Sequence, residues 1–126
     1  MKIYKCRRCN NLVELLENGG GELICCNESM ELLIPKNTDE GLEKHVPVVE
    51  VNNNKVTVKV GSTEHPMLEN HYITKIFVVY NNKIVRKNLK YIEEPKAEFI
   101  LDEEFKKIEV YEYCNLHDLW KTEYTK

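Results

Sequence analysis

Nine side chains make up all the cysteine and histidine of this 126-residue chain, and they fall into two groups. Cys6, Cys9, Cys25 and Cys26 sit close to the N-terminus. Cys114 stands three residues before His117, and with His45, His65 and His71 these make up the second group. Four thiolates make a closed tetrahedral site that suits zinc or a single iron, and the donor set alone does not choose between them. Four neutral imidazoles and one thiolate are more donors than zinc ordinarily takes, whereas iron accepts five or six. A closed site passes electrons or staples a fold, while a site with an open position does chemistry. Cys6-Arg7-Arg8-Cys9 puts two thiolates on one knuckle, where backbone N–H groups lower the thiol pKa. The adjacent pair Cys25-Cys26 departs from the usual knuckle spacing and should distort the tetrahedron.

The elements that hold these groups read as strands. Residues 1–35 are too few to bury a useful core and need a metal, a disulfide or a partner. Their apolar residues, Leu12, Val13, Leu15 and Leu16 and then Leu23 and Ile24, flank Gly19-Gly20-Gly21, which predicts a short hairpin around the metal knuckle. Residues 36–42 are polar and form the linker. From residue 43 to 126 the pattern is β-rich. Val46–Val51 and Val56–Val60 are separated by an asparagine turn. His71–Tyr80 and Ile84–Leu89 are joined at Asn81-Asn82. Ala97–Leu101, Ile108–Tyr113 and Leu119–Tyr124 complete about seven strands, an antiparallel sandwich of immunoglobulin-like architecture. Trp120, Tyr111 and Tyr113 are expected to fill its core or rim. Met67 is expected to pack beneath the loop after Pro66 rather than to act as a ligand.

Composition narrows the function classes. Eighteen Lys and Arg against 21 Asp and Glu give a formal charge of −3, and no basic block suggests nucleic acid or an anionic lipid surface as a partner. No segment approaches the roughly 18 apolar residues of a spanning helix, and the N-terminus has no signal-peptide pattern. Five cysteines are an odd number for an exported disulfide protein, so the reading is a metalloprotein of a reducing cytoplasm.

Cys6-x-x-Cys9, Cys25-Cys26, Glu43-Lys44-His45-Val46-Pro47, His65-Pro66-Met67 and Cys114-Asn115-Leu116-His117, in this order, resemble the desulfoferrodoxin family, the two-iron superoxide reductases. The resemblance implies an all-β chain with a desulforedoxin-like iron domain at 1–35 and an immunoglobulin-like catalytic domain at 43–126. It implies one iron held by Cys6, Cys9, Cys25 and Cys26. A second iron is held by His45, His65, His71 and His117 in the equatorial positions and by Cys114 as axial thiolate. The implied reaction takes superoxide, one electron and two protons to hydrogen peroxide. Lys44 is expected to steer the superoxide anion and Glu43 to offer a carboxylate to the open position. A rubredoxin-like donor and a homodimer are the implied partners. The alternative from the same residues is an iron protein that transfers electrons without a substrate. The chain departs from the family where glycine is usual, at Asn10 and Asn27 after ligand cysteines and at Asp118. Asn10 and Asn27 are expected at φ > 0 with the site intact.

Overall fold

The computed structural model describes residues 1–39, 44–61 and 65–126. Among these residues it contains strands and turns, no helix, and hence no helix able to cross a membrane. The chain divides into two compact units, Met1–Ile34 and Pro35–Lys126.

The first unit holds five very short strands: β1 (Ile3–Lys5), β2 (Leu12–Glu14), β3 (Ile24–Cys25), β4 (Glu28–Ser29) and β5 (Glu31–Leu32). β1 is central to a three-stranded sheet with β2 and β5, and β3 pairs only with β4. The hairpin expected across Gly19-Gly20-Gly21 does not form. β2 turns back on β1, and the segment between β2 and β3 lies open, with Leu16 85% exposed. The knuckles decide the pairing instead. Cys6 N–H donates to the Asn11 carbonyl and Asn10 N–H to the Cys6 carbonyl, which closes the β1–β2 turn on the first cysteine pair. Cys26 and Asn27, at φ 52° and 62°, close β3 onto β4 in the left-handed pairing that suits a two-residue hairpin. Asn10 lies at φ 65°, so both asparagines take the conformation expected of them. Arg7–Glu31 and Arg8–Glu28 ion pairs tie the first knuckle to the strands beyond the second.

The second unit is a seven-stranded antiparallel sandwich among the described residues. One sheet contains β6 (Pro47–Asn52), β7 (Lys55–Val60) and β10 (Lys96–Ile100), in the order β10-β7-β6. The other contains β8 (Ile73–Tyr80), β9 (Lys83–Asn88), β11 (Lys107–Cys114) and β12 (Asp118–Thr125), in the order β12-β11-β8-β9. Period-two alternation sends Val56, Val58 and Val60 of β7 inward against Ile76 and Val78 of β8 and Ile108 and Val110 of β11. Each of these is at most 1% exposed, so non-directional burial of apolar surface holds the two sheets face to face. Met67 packs against this core from its edge. Asn81 and Asn82, at φ 46° and 63°, form the two-residue turn between β8 and β9.

Candidate metal centres

In the first unit the four sulfur donors all lie within 4.8 Å of one another. Cys9 Sγ is 3.6 Å from Cys25 Sγ, and Cys25 Sγ is 4.0 Å from Cys26 Sγ. Sulfurs held tetrahedrally at about 2.3 Å from one ion would stand about 3.8 Å apart, so this spacing fits a thiolate-bound metal. All five cysteines are free thiols rather than disulfides. The backbone N–H of Cys9 leads the groups that lower the Cys6 thiol to about 7. Crowding against the sulfurs of Cys9, Cys6 and Cys25 pushes Cys26 up to about 12. Thiols that crowd so closely resist joint ionisation until a cation sits among them.

In the second unit His45, His65, His71, Cys114 and His117 bring one donor atom each to within 4.8 Å of the others. They come from four places in the chain. His45 enters just before β6, His65 and His71 bracket the approach to β8, and Cys114 and His117 stand at the turn from β11 to β12. That turn is built for its task. The pairing of β11 with β8 slips between Tyr113 and Cys114, a bulge that re-aims the cysteine side chain. Asn115, Leu116 and His117 form a three-residue loop closed by Asp118 at φ 67°, the left-handed residue such a loop requires. Cys114 pairs with Asp118 across that loop, so thiol and imidazole are fixed by one hairpin end.

A hydrogen bond selects which nitrogen the His65 ring offers. His65 Nδ1 lies 2.7 Å from the Pro66 carbonyl, which commits that nitrogen as N–H and leaves Nε2 to ligate. His45 Nε2 is 3.1 Å from His117 Nδ1, and His117 Nδ1 is 3.9 Å from Cys114 Sγ. Neighbouring nitrogens on one ion at about 2.1 Å, set at right angles, would stand about 3 Å apart, so the donor set fits a metal ion. His45, His65 and Cys114 are buried, His71 is half-buried and His117 is exposed. Burial, followed by the charges of His65 and His117, lowers His45 to about 4. Its ring is therefore neutral at neutral pH, the form that binds metal.

Four further residues stand near these donors, and for Asp39, Asn115 and Trp120 nothing in the sequence discloses the contact they make. The Asp39 carboxylate accepts the backbone N–H groups of His45 and Val46, which seats the segment that brings His45 in. The Asn115 amide accepts Tyr72 N–H at 2.9 Å and donates to the Asn70 carbonyl at 3.0 Å, locking the Cys114 hairpin to the His71 segment. Trp120 stacks on His45 at 4.6 Å between centroids. Glu112, wholly buried two residues before Cys114, has no hydrogen-bond partner for its carboxyl oxygens among the described residues. Burial, and behind it the Asp39 charge, push the Glu112 carboxyl well above its usual range. Lys44 is half-buried and directly precedes His45, while Glu43 lies outside the described residues, as does the end of the linker.

Asp39→Ala is expected to lower the stability of the second unit by about 1–3 kcal/mol, because two backbone donors lose a charged acceptor. Chemical denaturation followed by the tryptophan signal measures this. An unchanged midpoint would remove Asp39 from the account of how His45 is seated.

A two-unit all-β chain with a four-cysteine cluster and a four-histidine, one-cysteine cluster defines a class of protein with two candidate metal centres. Comparison with known proteins makes the class specific. The desulfoferrodoxin profile matches residues 37–123, and the profile of the desulfoferrodoxin N-terminal domain matches residues 1–33. A desulfoferrodoxin homolog of Archaeoglobus fulgidus is 49% identical over 122 residues, covering 97% of this chain and 96% of that one. The superoxide reductase of Treponema pallidum superimposes with a TM-score of 0.78 at 31% identity, covering 96% of each chain. A one-iron superoxide reductase of Giardia intestinalis matches along 100% of its own length and 68% of this chain, with a TM-score of 0.62 at 29% identity. The chain belongs to the desulfoferrodoxin family.

Proposed function

We propose that the chain is a superoxide reductase carrying two irons, one on Cys6, Cys9, Cys25 and Cys26 and one on His45, His65, His71, His117 and Cys114. The observation that carries this reading is the second cluster, with four imidazoles and one buried thiolate converging within 4.8 Å. The likeness to solved superoxide reductases supports it. When bound there, iron would supply one electron to superoxide, so that superoxide, one electron and two protons yield hydrogen peroxide. The remaining work falls to side chains. The rigid hairpin end holds the Cys114 thiolate against the imidazoles, where its electron density tunes the ion, as thiolates do in other iron proteins. The His45 ring, kept neutral by burial, adds no positive charge of its own beside the ion. Lys44 supplies a cation beside the site that draws in a small anion and helps deliver a proton. Glu43 offers a carboxylate to the same open position. In this reading the electron comes from a rubredoxin-like donor, and the chain works as a cytoplasmic homodimer.

The decisive test is stoichiometry. Metal-analysed, pre-reduced chain is mixed with superoxide, and peroxide and dioxygen are measured together. One peroxide per superoxide consumed, with no dioxygen, is expected. One peroxide per two superoxides with dioxygen released would mean dismutation, and no consumption would leave only electron transfer. Lys44→Ala is expected to slow superoxide consumption about tenfold, the low end of what electrostatic steering contributes, and to flatten its dependence on salt. Stopped-flow decay at several ionic strengths checks this, and an unaltered rate and slope would leave Lys44 as an ordinary surface charge.

A further inference from the structure

Trp120 is the one tryptophan in the chain, it is 5% exposed, and it touches two residues of the second cluster through different parts of its side chain. Its ring lies nearly parallel to the His45 imidazole, at an interplanar angle of 14° and a centroid separation of 4.6 Å. Its indole N–H donates to the backbone carbonyl of His117 at 2.9 Å. The tryptophan is itself held. It stands across from Glu112 on β11, and its strand is bridged by Lys36, whose N–H donates to the Leu119 carbonyl at 3.0 Å and whose carbonyl accepts Lys121 N–H at 2.8 Å. The Lys36 ammonium lies over the indole, 5.1 Å from its centroid. His45 meets its other ring neighbours edge-on, His65 at 65° and His117 at 70°. An imidazole turns readily about its last torsion, a broad two-fold well. The flat indole is the parallel surface that opposes this turn.

We propose that Trp120 is a positioning residue for the second metal site, fixing the ring plane of His45 by stacking and the loop of His117 by its N–H. The proposal rests on the reading of the histidine–cysteine cluster as a metal site. The indole combines a broad flat face with a ring N–H donor. Phenylalanine keeps a flat face but has no donor, and leucine keeps neither. Groups that orient a ligand from behind typically change metal affinity 10–100-fold when removed.

The test uses the full chain with the four-cysteine site already filled, and titrates cobalt(II) alone into the second site against a chelator. In the unaltered chain, filling of the second site is expected to change Trp120 fluorescence in step with the ligand-field absorption. Trp120→Leu is expected to weaken cobalt binding at this site by about 10–100-fold while the first site keeps its metal. Trp120→Phe is expected to recover part of that loss yet keep a displaced ligand-field band, because the His117 carbonyl has lost its donor. A merely space-filling tryptophan would leave that band in place. If Trp120→Leu does not fold, Trp120→Phe decides. Wild-type affinity and an unshifted band in that variant would overturn the proposal. So would wild-type fluorescence that ignores cobalt bound at the second site. Failure of the unaltered chain to take any metal there would overturn the proposal together with the reading on which it rests.

Discussion

Cys114→Ser is expected to reduce superoxide turnover by about 100-fold or more, at or beyond the upper end of what is lost when a group supporting a metal ligand is removed. The visible absorption of the four-cysteine site should stay as it was. The substitution is nearly isosteric, and Cys114 is wholly buried beneath the sandwich edge, so the bulge and the hairpin end have no steric reason to move. What changes is the donor. A serine hydroxyl at that position is neutral and holds its lone pairs tightly, whereas a thiolate is charged, polarisable and pushes electron density onto the ion. The four imidazoles remain, so iron is expected to bind with reduced affinity, and metal analysis of the same sample separates loss of metal from loss of tuning. Stopped-flow superoxide decay, normalised to iron in the second site, is the measurement. An unchanged normalised rate would withdraw the thiolate from the chemistry and leave Cys114 as a core residue.

The strands were legible because their signals are local, and the two donor sets because together they hold every cysteine and histidine of the chain. Val56, Val58 and Val60 alternate with polar residues, and the asparagines at 81 and 82 mark a turn by their tolerance of positive φ. Asn10 and Asn27 could be assigned a left-handed backbone for the same reason. The pairing within the first unit was not legible. The apolar residues around Gly19-Gly20-Gly21 suggested a hairpin, but a unit with so small a core takes its pairing from the knuckle turns at Cys6–Asn11 and Cys26-Asn27. Hydrophobic pattern has little leverage where there is little to bury.

The supporting residues of the second site were missed for a different physical reason. Asp39 acts through the backbone N–H groups of His45 and Val46, and any residue offers an N–H, so its partner leaves no trace in the sequence. Asn115 bonds to Tyr72 N–H and the Asn70 carbonyl in the same anonymous way. Trp120 reads as core filling and is buried as such, yet its stack on His45 depends on which face of β12 meets the incoming segment. That is a fact of tertiary packing. Glu112 breaks the apolar alternation of β11 between Val110 and Cys114, and this break was the one visible signal that the strand end is more than core.

Cys9→Ser is expected to abolish the first metal site, unfold Met1–Ile34 and leave the second unit folded and catalytically competent. The first unit buries very little. Ile3, Cys6, Leu33 and Lys5 are its only buried residues, and one of these is itself a candidate ligand. Its strands have two or three residues each, too few to hold together by pairing alone. Most of its folding free energy must therefore come from metal binding, which in small thiolate and imidazole domains amounts to roughly 10–16 kcal/mol at neutral pH. Removing one of four thiolates leaves the crowded sulfurs of Cys25 and Cys26 without a fourth partner, and the ion leaves or binds far more weakly. The second unit owes nothing to that ion for its core, since Ile76, Val78, Ile108 and Val110 pack against the valines of β7 within their own sandwich. Hydrogen exchange should show protection lost across 1–34 and kept across β7, β8 and β11. Superoxide consumption by the pre-reduced variant should persist, because a small soluble reductant reaches the second site through its exposed His117 edge. A variant that keeps its exchange protection in 1–34 would show that the unit folds without its metal. A variant with an intact second unit and no turnover would show that electrons must enter through the four-cysteine site.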